Sequence, residues 1–214
     1  MRIAAAVGAL LGWFALVLQL YLMLAQSPAR AAAMAGTVIT YFSFFTILTN
    51  ILVALVFTAT VLSSGTGGPP AGWGQFFCRP SVQAAIAGYI AIVGIVYRLL
   101  LRQLWNPQGA QWVADVILHD VIPVGYVLYW LLFAPKNGLR WKDAVAGLIY
   151  PGVYLLYVLV RGAVSGLYPY PFVDVNVLGY AGVLARAAVL LLVFLGMGLL
   201  VVAVGRWTRG RSRV

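Results

Sequence analysis

The chain is expected to be an all-α, polytopic integral membrane protein with six transmembrane helices, and three observations lead there. Of its 214 residues 64% are hydrophobic and 8% are charged, where a water-soluble globule carries about 25% charge. The mean hydropathy is +0.99. Six apolar runs approach the roughly 20 residues that cross a hydrocarbon core about 30 Å thick, and clusters of turn-forming residues separate them.

The first run, Ile3 to Leu24, stops at Gln26-Ser27-Pro28. Arg2, the apolar stretch and Ala29-Arg30-Ala31 also resemble a signal peptide with its cleavage site. The stretch is about 22 residues long against 7 to 15 for a signal core, which favours a retained helix. The second run, Val38 to Leu62, ends at Ser63 to Gly74, a loop with two Pro and five Gly. The third, Val82 to Leu101, meets Asn106-Pro107-Gln108-Gly109. The fourth, Trp112 to Phe133, meets Ala134-Pro135-Lys136-Asn137-Gly138. The fifth, Ala144 to Val160, is followed by Tyr168 to Phe172, and the sixth spans Leu178 to Val204. Pro, Gly, Asn and Ser mark these connections as turns or interfacial loops. The whole chain, residues 1–214, is expected to form one helical domain without a separate soluble unit or an internal repeat.

Basic residues set the expected orientation. With the N-terminus inside, nine fall on the cytoplasmic side (Arg2, Arg79, Lys136, Arg140, Lys142, Arg206, Arg209, Arg211 and Arg213) and four at the other (Arg30, Arg98, Arg102 and Arg161). That asymmetry predicts two cytoplasmic termini. The basic tail is expected to contact anionic lipid rather than nucleic acid. Trp105, Trp112, Trp130 and Trp141 are expected in the interfacial aromatic belts. One cysteine, Cys78, makes no intrachain disulfide, and one histidine rules out bis-histidine haem. No metal site or cofactor is expected.

Polar residues inside the runs are the candidates for chemistry, because ionisable groups are expensive in a membrane. In the second run Ser43, Thr46 and Asn50 share a helical face, with Thr49 close to it. In the fourth, Asp115 and His119 stand one turn apart on one face, while Asp120 points about 100° away and Pro123 loosens the next turn. Arg186 lies in the outer third of the sixth run. Thr46, His119 and Arg186 each fall about 7 to 9 residues into an even-numbered run, so they can meet in one layer roughly 10 to 14 Å deep. A structural explanation competes with a functional one: Arg98 matches Asp115 in depth and Arg186 matches Asp120, so two buried ion pairs could merely neutralise each other. Hydroxyls in membrane helices commonly bond the preceding turn. His119 between two carboxylates is the usual make-up of a general base or proton relay.

Three stretches, Phe42-Ser43-Phe44-Phe45-Thr46-Ile47-Leu48-Thr49-Asn50, Leu118-His119-Asp120-Val121-Ile122-Pro123 and Tyr168-Pro169-Tyr170-Pro171-Phe172-Val173-Asp174, resemble the androgen-induced and androgen-dependent TFPI-regulating proteins and their bacterial relatives. The resemblance covers roughly residues 3 to 204 and implies a six-helix protein of the membrane, here the inner membrane of a bacterial cell. Animal members are threonine hydrolases that cleave fatty acid esters of hydroxy fatty acids with an intramembrane Thr and His. By that resemblance Thr46 is the nucleophile, Thr49 the reserve, and His119 the base. The spacing from His119 to Pro123 is one residue shorter than in the animal proteins, and Asp120 replaces an uncharged residue. The chemistry to match is acyl transfer: His119 deprotonates Thr46, Asp115 holds the imidazole tautomer, and Asn50 or Arg186 stabilises the oxyanion, or Arg186 binds a substrate carboxylate. The expected partners are membrane lipids and a lipid ester substrate. A proton-coupled or small-molecule transporter, with Pro123 and Pro151 breaking helices, and a non-catalytic lipid-binding protein are the alternatives.

Overall fold

A computed structural model describes residues 1–66 and 72–211. Part of the glycine-rich loop and the end of the tail, including Arg213, lie outside the described residues, as do the side chains of Arg209 and Arg211. Within them the chain is helical, and six helical stretches are long and apolar enough to cross a membrane. The elements are α1 (Arg2–Ala25), α2 (Ala31–Tyr41), α3 (Phe45–Thr66), α4 (Trp73–Phe77), α5 (Pro80–Val96), α6 (Gly109–Val116), α7 (Ile122–Phe133), α8 (Trp141–Ala146), α9 (Ile149–Ser165) and α10 (Val175–Arg211). A π-helical turn (Tyr97–Leu101) and a 3-10 turn (Arg102–Leu104) extend α5, and a second π turn (Ile117–Val121) joins α6 to α7.

The centre of the bundle is α3 and α5, which bury 56% and 50% of their most apolar stretches, against 11% in α10. Helix α1 packs along α3, and α5 packs on α3, α7 and α10. Phe45, Phe57, Tyr89, Tyr126 and Tyr129 fill the space between them with edge-on and tilted ring contacts. Trp130 is 2% exposed and belongs to this core, not to an interfacial belt. Lys136 covers its ring instead, 5.2 Å from the centroid. Outward faces such as Leu10, Leu132, Val164 and Leu192 are apolar and exposed, as in a protein whose solvent is lipid.

The second and sixth runs differ from the sequence expectation, and the fifth is divided at Gly147-Leu148. The second apolar run is broken at Phe42-Ser43-Phe44, so the spanning helix starts at Phe45 and Val38 belongs to the short α2. No Pro or Gly marks that break. It is stabilised from outside: Tyr154 Oη of α9 donates to the carbonyl of Ser43 at 2.8 Å, and Ser43 Oγ bonds the carbonyl of Ile39 at 2.7 Å and meets Tyr157 Oη at 3.0 Å. The long sixth helix, by contrast, is interrupted once, at Gly179 (φ 65°, ψ 165°).

The second π turn has a local cause. Pro123 has no N–H for the carbonyl of His119, four residues back, so the helical ladder cannot close there and widens. Gly94 of α5 faces that gap: a Cβ at 94 would lie 3.2 Å from Pro123 Cβ and 3.3 Å from the His119 carbonyl oxygen. Gly94→Val is expected to push the two backbones apart at a cost of about 1–3 kcal/mol, read as a fall in melting temperature in detergent; an unchanged melting temperature would show that the contact is loose.

Candidate active site

The two π turns meet face to face. The rings of Tyr97 and His119 stack with centroids 3.7 Å apart and planes 12° from parallel. Tyr97 Oη donates to Asp115 Oδ2 at 2.5 Å and accepts from Trp105 Nε1 at 3.2 Å. His119 Nδ1 lies 3.1 Å from both the main-chain carbonyl and Oδ1 of Asp115. Only the carbonyl is approached along a hydrogen-bonding direction; Oδ1 is left without a hydrogen bond and acts on the ring as a neighbouring negative charge. With Nδ1 committed to residue 115, Nε2 is the nitrogen left for chemistry.

Thr46 sits in the first turn of α3 and is 9% exposed. It lines, with His119, Asp115, Tyr97, Trp105 and Tyr170, a cavity of about 250 Å³. A second, almost wholly apolar slot of about 80 Å³ lies beside it between α5, α9 and α10, lined by Phe45, Ile92, Tyr154, Leu190 and Phe194. Thr46, Leu101 and Tyr170 border both spaces. Tyr170, from the loop before α10, accepts a long hydrogen bond from the Thr46 amide at 3.5 Å. Burial pushes its phenol above the usual range, so it stays a donor at neutral pH. Its ring stacks on Phe172 and meets Phe44 edge-on.

The other hydroxyls of the α3 stripe are used up by packing. Thr49 is fully buried with its Oγ1 on Tyr150 Oη at 3.1 Å, and it does not line the cavity. Asn50 Nδ2 donates to the carbonyls of Thr46 at 2.9 Å and Leu118 at 3.2 Å. It therefore fastens α3 to the π turn, with no free amide hydrogen for an oxyanion. The stripe of Tyr150, Tyr154, Tyr157 and Arg161 on α9 takes the remaining polar groups of this face.

The ion pairs are not the expected ones. Asp120, outside the cavity, pairs with Arg98 at 2.8 Å and Arg102 at 3.7 Å. Asp115 has no arginine and takes Tyr97 and His119. Arg186 is exposed, bonds the carbonyl of Gly182 in its own helix at 3.2 Å and reaches neither cavity. Asp120, about 100° round the helix from His119, faces the end of α5, while Asp115 keeps its one-turn relation to His119. Among the described residues no three His, Cys, Asp or Glu side chains gather as metal ligands would.

Sequence reasoning missed Tyr97, Trp105 and Tyr170. Tyr97 offers no signal, being one aromatic in an apolar run. Trp105 looks like a belt residue, and Tyr170 lies in a loop of the kind that reads as a turn. Fold and site together define a six-helix integral membrane protein with a His-Asp-Tyr cluster and a threonine around one half-open cavity. No family model, no curated protein and no solved structure matches the chain.

Proposed function

We propose that this chain is an intramembrane threonine hydrolase of lipid esters. The observation that carries the reading is that Thr46 and His119, from separate helices, line one cavity with the imidazole tethered through Nδ1. The adjoining apolar slot suits an acyl chain entering from the bilayer, and the resemblance of the three motifs to the hydrolases named above agrees with both.

In the mechanism, His119 Nε2 takes the proton of Thr46 Oγ1 as the oxygen attacks the ester carbonyl. The oxyanion forms at the N-terminus of α3, where the first amide groups have no intrahelical acceptor and the helix dipole is positive. Tyr170 Oη, already beside Thr46, supplies a further donor. Collapse breaks the ester C–O bond, and the alcohol leaves with the proton from His119. A water, deprotonated by His119, then attacks the acyl-threonine, and the fatty acid and free Thr46 are released. Asp115 stabilises the imidazolium in both halves, and the Tyr97 ring holds the imidazole plane.

The test is covalent labelling of the purified chain by a serine- and threonine-reactive fluorophosphonate, with fatty-ester hydrolysis measured on the same sample. Label on Thr46 together with turnover is expected. A folded protein that takes no label and turns nothing over removes the hydrolase reading, and substrate-driven proton movement in liposomes would put a carrier in its place. Tyr170→Phe is expected to lower kcat about 100-fold with little change in KM. An unchanged kcat would remove Tyr170 from the oxyanion site.

The count of basic residues supports both termini on the cytoplasmic side, and the resemblance, not the charge count, is what suggests the inner membrane of a bacterial cell.

A further inference from the structure

A separate groove of about 1050 Å³ runs along the lipid-facing side, between the end of α1, α2 and α9. Its long wall is Val153, Leu156, Val160 and Val164 of α9, at helical spacing, and Met23 and Ile39 face them. From Val153 to Val160 the wall rises roughly 10 Å at 1.5 Å per residue, about a third of the thickness of a hydrocarbon core. The upper part of an extended alkyl chain lying parallel to α9 matches that length and chemistry.

At one end the groove becomes polar, with Gln26, Ser27, Thr37, Thr40, Arg161 and Ser165. Arg161 carries the charge. Its Nη2 donates to Thr40 Oγ1 at 2.9 Å and its Nη1 to the carbonyl of Leu167 at 3.1 Å, beyond the end of α9. Capping the helix end accounts for the second bond. It does not account for the charge: among the described residues no carboxylate pairs with Arg161, and its Nε is buried without a partner. Arginines in apolar spans pair with an acid or stretch to the interface. Arg161 is instead held by two neutral oxygens, so a cation with no neighbouring carboxylate among the described residues stays at the head of an apolar groove, with one hydrogen on each Nη still free.

We propose that this groove is a binding site for one anionic phospholipid of the surrounding bilayer, its phosphate on Arg161 and one acyl chain along Val153, Leu156 and Val160. The site does not depend on the Thr46 and His119 chemistry. Guanidinium and phosphate make strong charge-assisted hydrogen bonds, and the hydroxyls of Ser27 and Thr37, 2.9 Å apart, stand where a polar headgroup would lie.

The test is native mass spectrometry of the full chain in a non-ionic detergent, titrated with dioleoyl phosphatidylglycerol, dioleoyl phosphatidylcholine or inorganic phosphate. One retained phosphatidylglycerol is expected, preferred over phosphatidylcholine and not displaced by inorganic phosphate. Arg161→Gln is expected to weaken the phosphatidylglycerol complex about fivefold, the worth of one basic residue at an anionic headgroup. Val160→Trp, at an exposed position that packing does not constrain, is expected to block the acyl chain and abolish the adduct with Arg161 intact. Should Arg161→Gln fail to fold, Val160→Trp decides alone. Phosphatidylglycerol binding undiminished in Val160→Trp, or in a folded Arg161→Gln, overturns the proposal. Displacement by inorganic phosphate overturns it too, because the site would then be one for an ion and not for a lipid.

Discussion

Thr46→Ala and His119→Ala are each expected to lower fatty-ester hydrolysis by about 10³- to 10⁶-fold, and the double variant to lose no more than the worse single one. The reason is that the two groups act as a unit. A threonine hydroxyl without a base is a poor nucleophile, and a base without the hydroxyl has nothing to activate, so either deletion removes the same covalent step. Thr46→Ala removes a hydroxyl from a side chain that borders two cavities, so little packing is lost. His119→Ala empties one side of the Tyr97 stack. His119→Gln keeps a planar polar group there and separates loss of the base from loss of packing. Rates in the single variants within tenfold of wild type, or losses that multiply in the double variant, would show that Thr46 and His119 do not share a step.

Asp115→Asn is expected to reduce kcat by up to about 10⁴-fold while KM stays near its wild-type value. The substitution keeps size and shape but removes the charge 3.1 Å from His119 Nδ1, so the imidazolium that forms as Thr46 attacks loses its stabilising partner. It also weakens the hydrogen bond from Tyr97, because an amide oxygen accepts less strongly than a carboxylate. Asp120→Asn is the control, because Asp120 faces Arg98 and Arg102 outside the cavity. Its partly exposed pairs are worth at most about 1 kcal/mol, so melting shifts slightly and kcat holds. If Asp120→Asn proved the more damaging of the two to kcat, the assignment of the two aspartates would be reversed.

Much of the site was legible because helical periodicity is a local property. Asp115 and His119 are four residues apart, and any helix, even one that widens just above, brings them together. The hydroxyl stripe of Ser43, Thr46, Thr49 and Asn50 was legible for the same reason, but its division of labour was not. Thr49 and Thr46 differ by what stands opposite: Tyr150 from α9 in one case, open cavity in the other. No spacing along α3 encodes that. The break before Phe45 was equally invisible, since it is stabilised by Tyr154 and Tyr157, more than 100 residues away. Depth along a helix was too coarse to choose ion-pair partners, so Arg98 was matched to Asp115 and Arg186 to Asp120. In the fold Asp120 takes Arg98, while Arg186 bonds within its own helix.

The sequence by itself determined that this chain is helical, that six of its segments can span a membrane, and which few polar groups must be accommodated among apolar ones. Those properties follow from composition, run length and 3.6-residue periodicity, all local in the chain. Only the tertiary structure decided that Thr46 and His119 face one cavity, that Tyr97 and Tyr170 complete it, and that Arg161 stands in a groove with no carboxylate beside it among the described residues. The physical reason is that a buried polar group must find its partner wherever packing brings one, and packing joins residues that the chain keeps far apart.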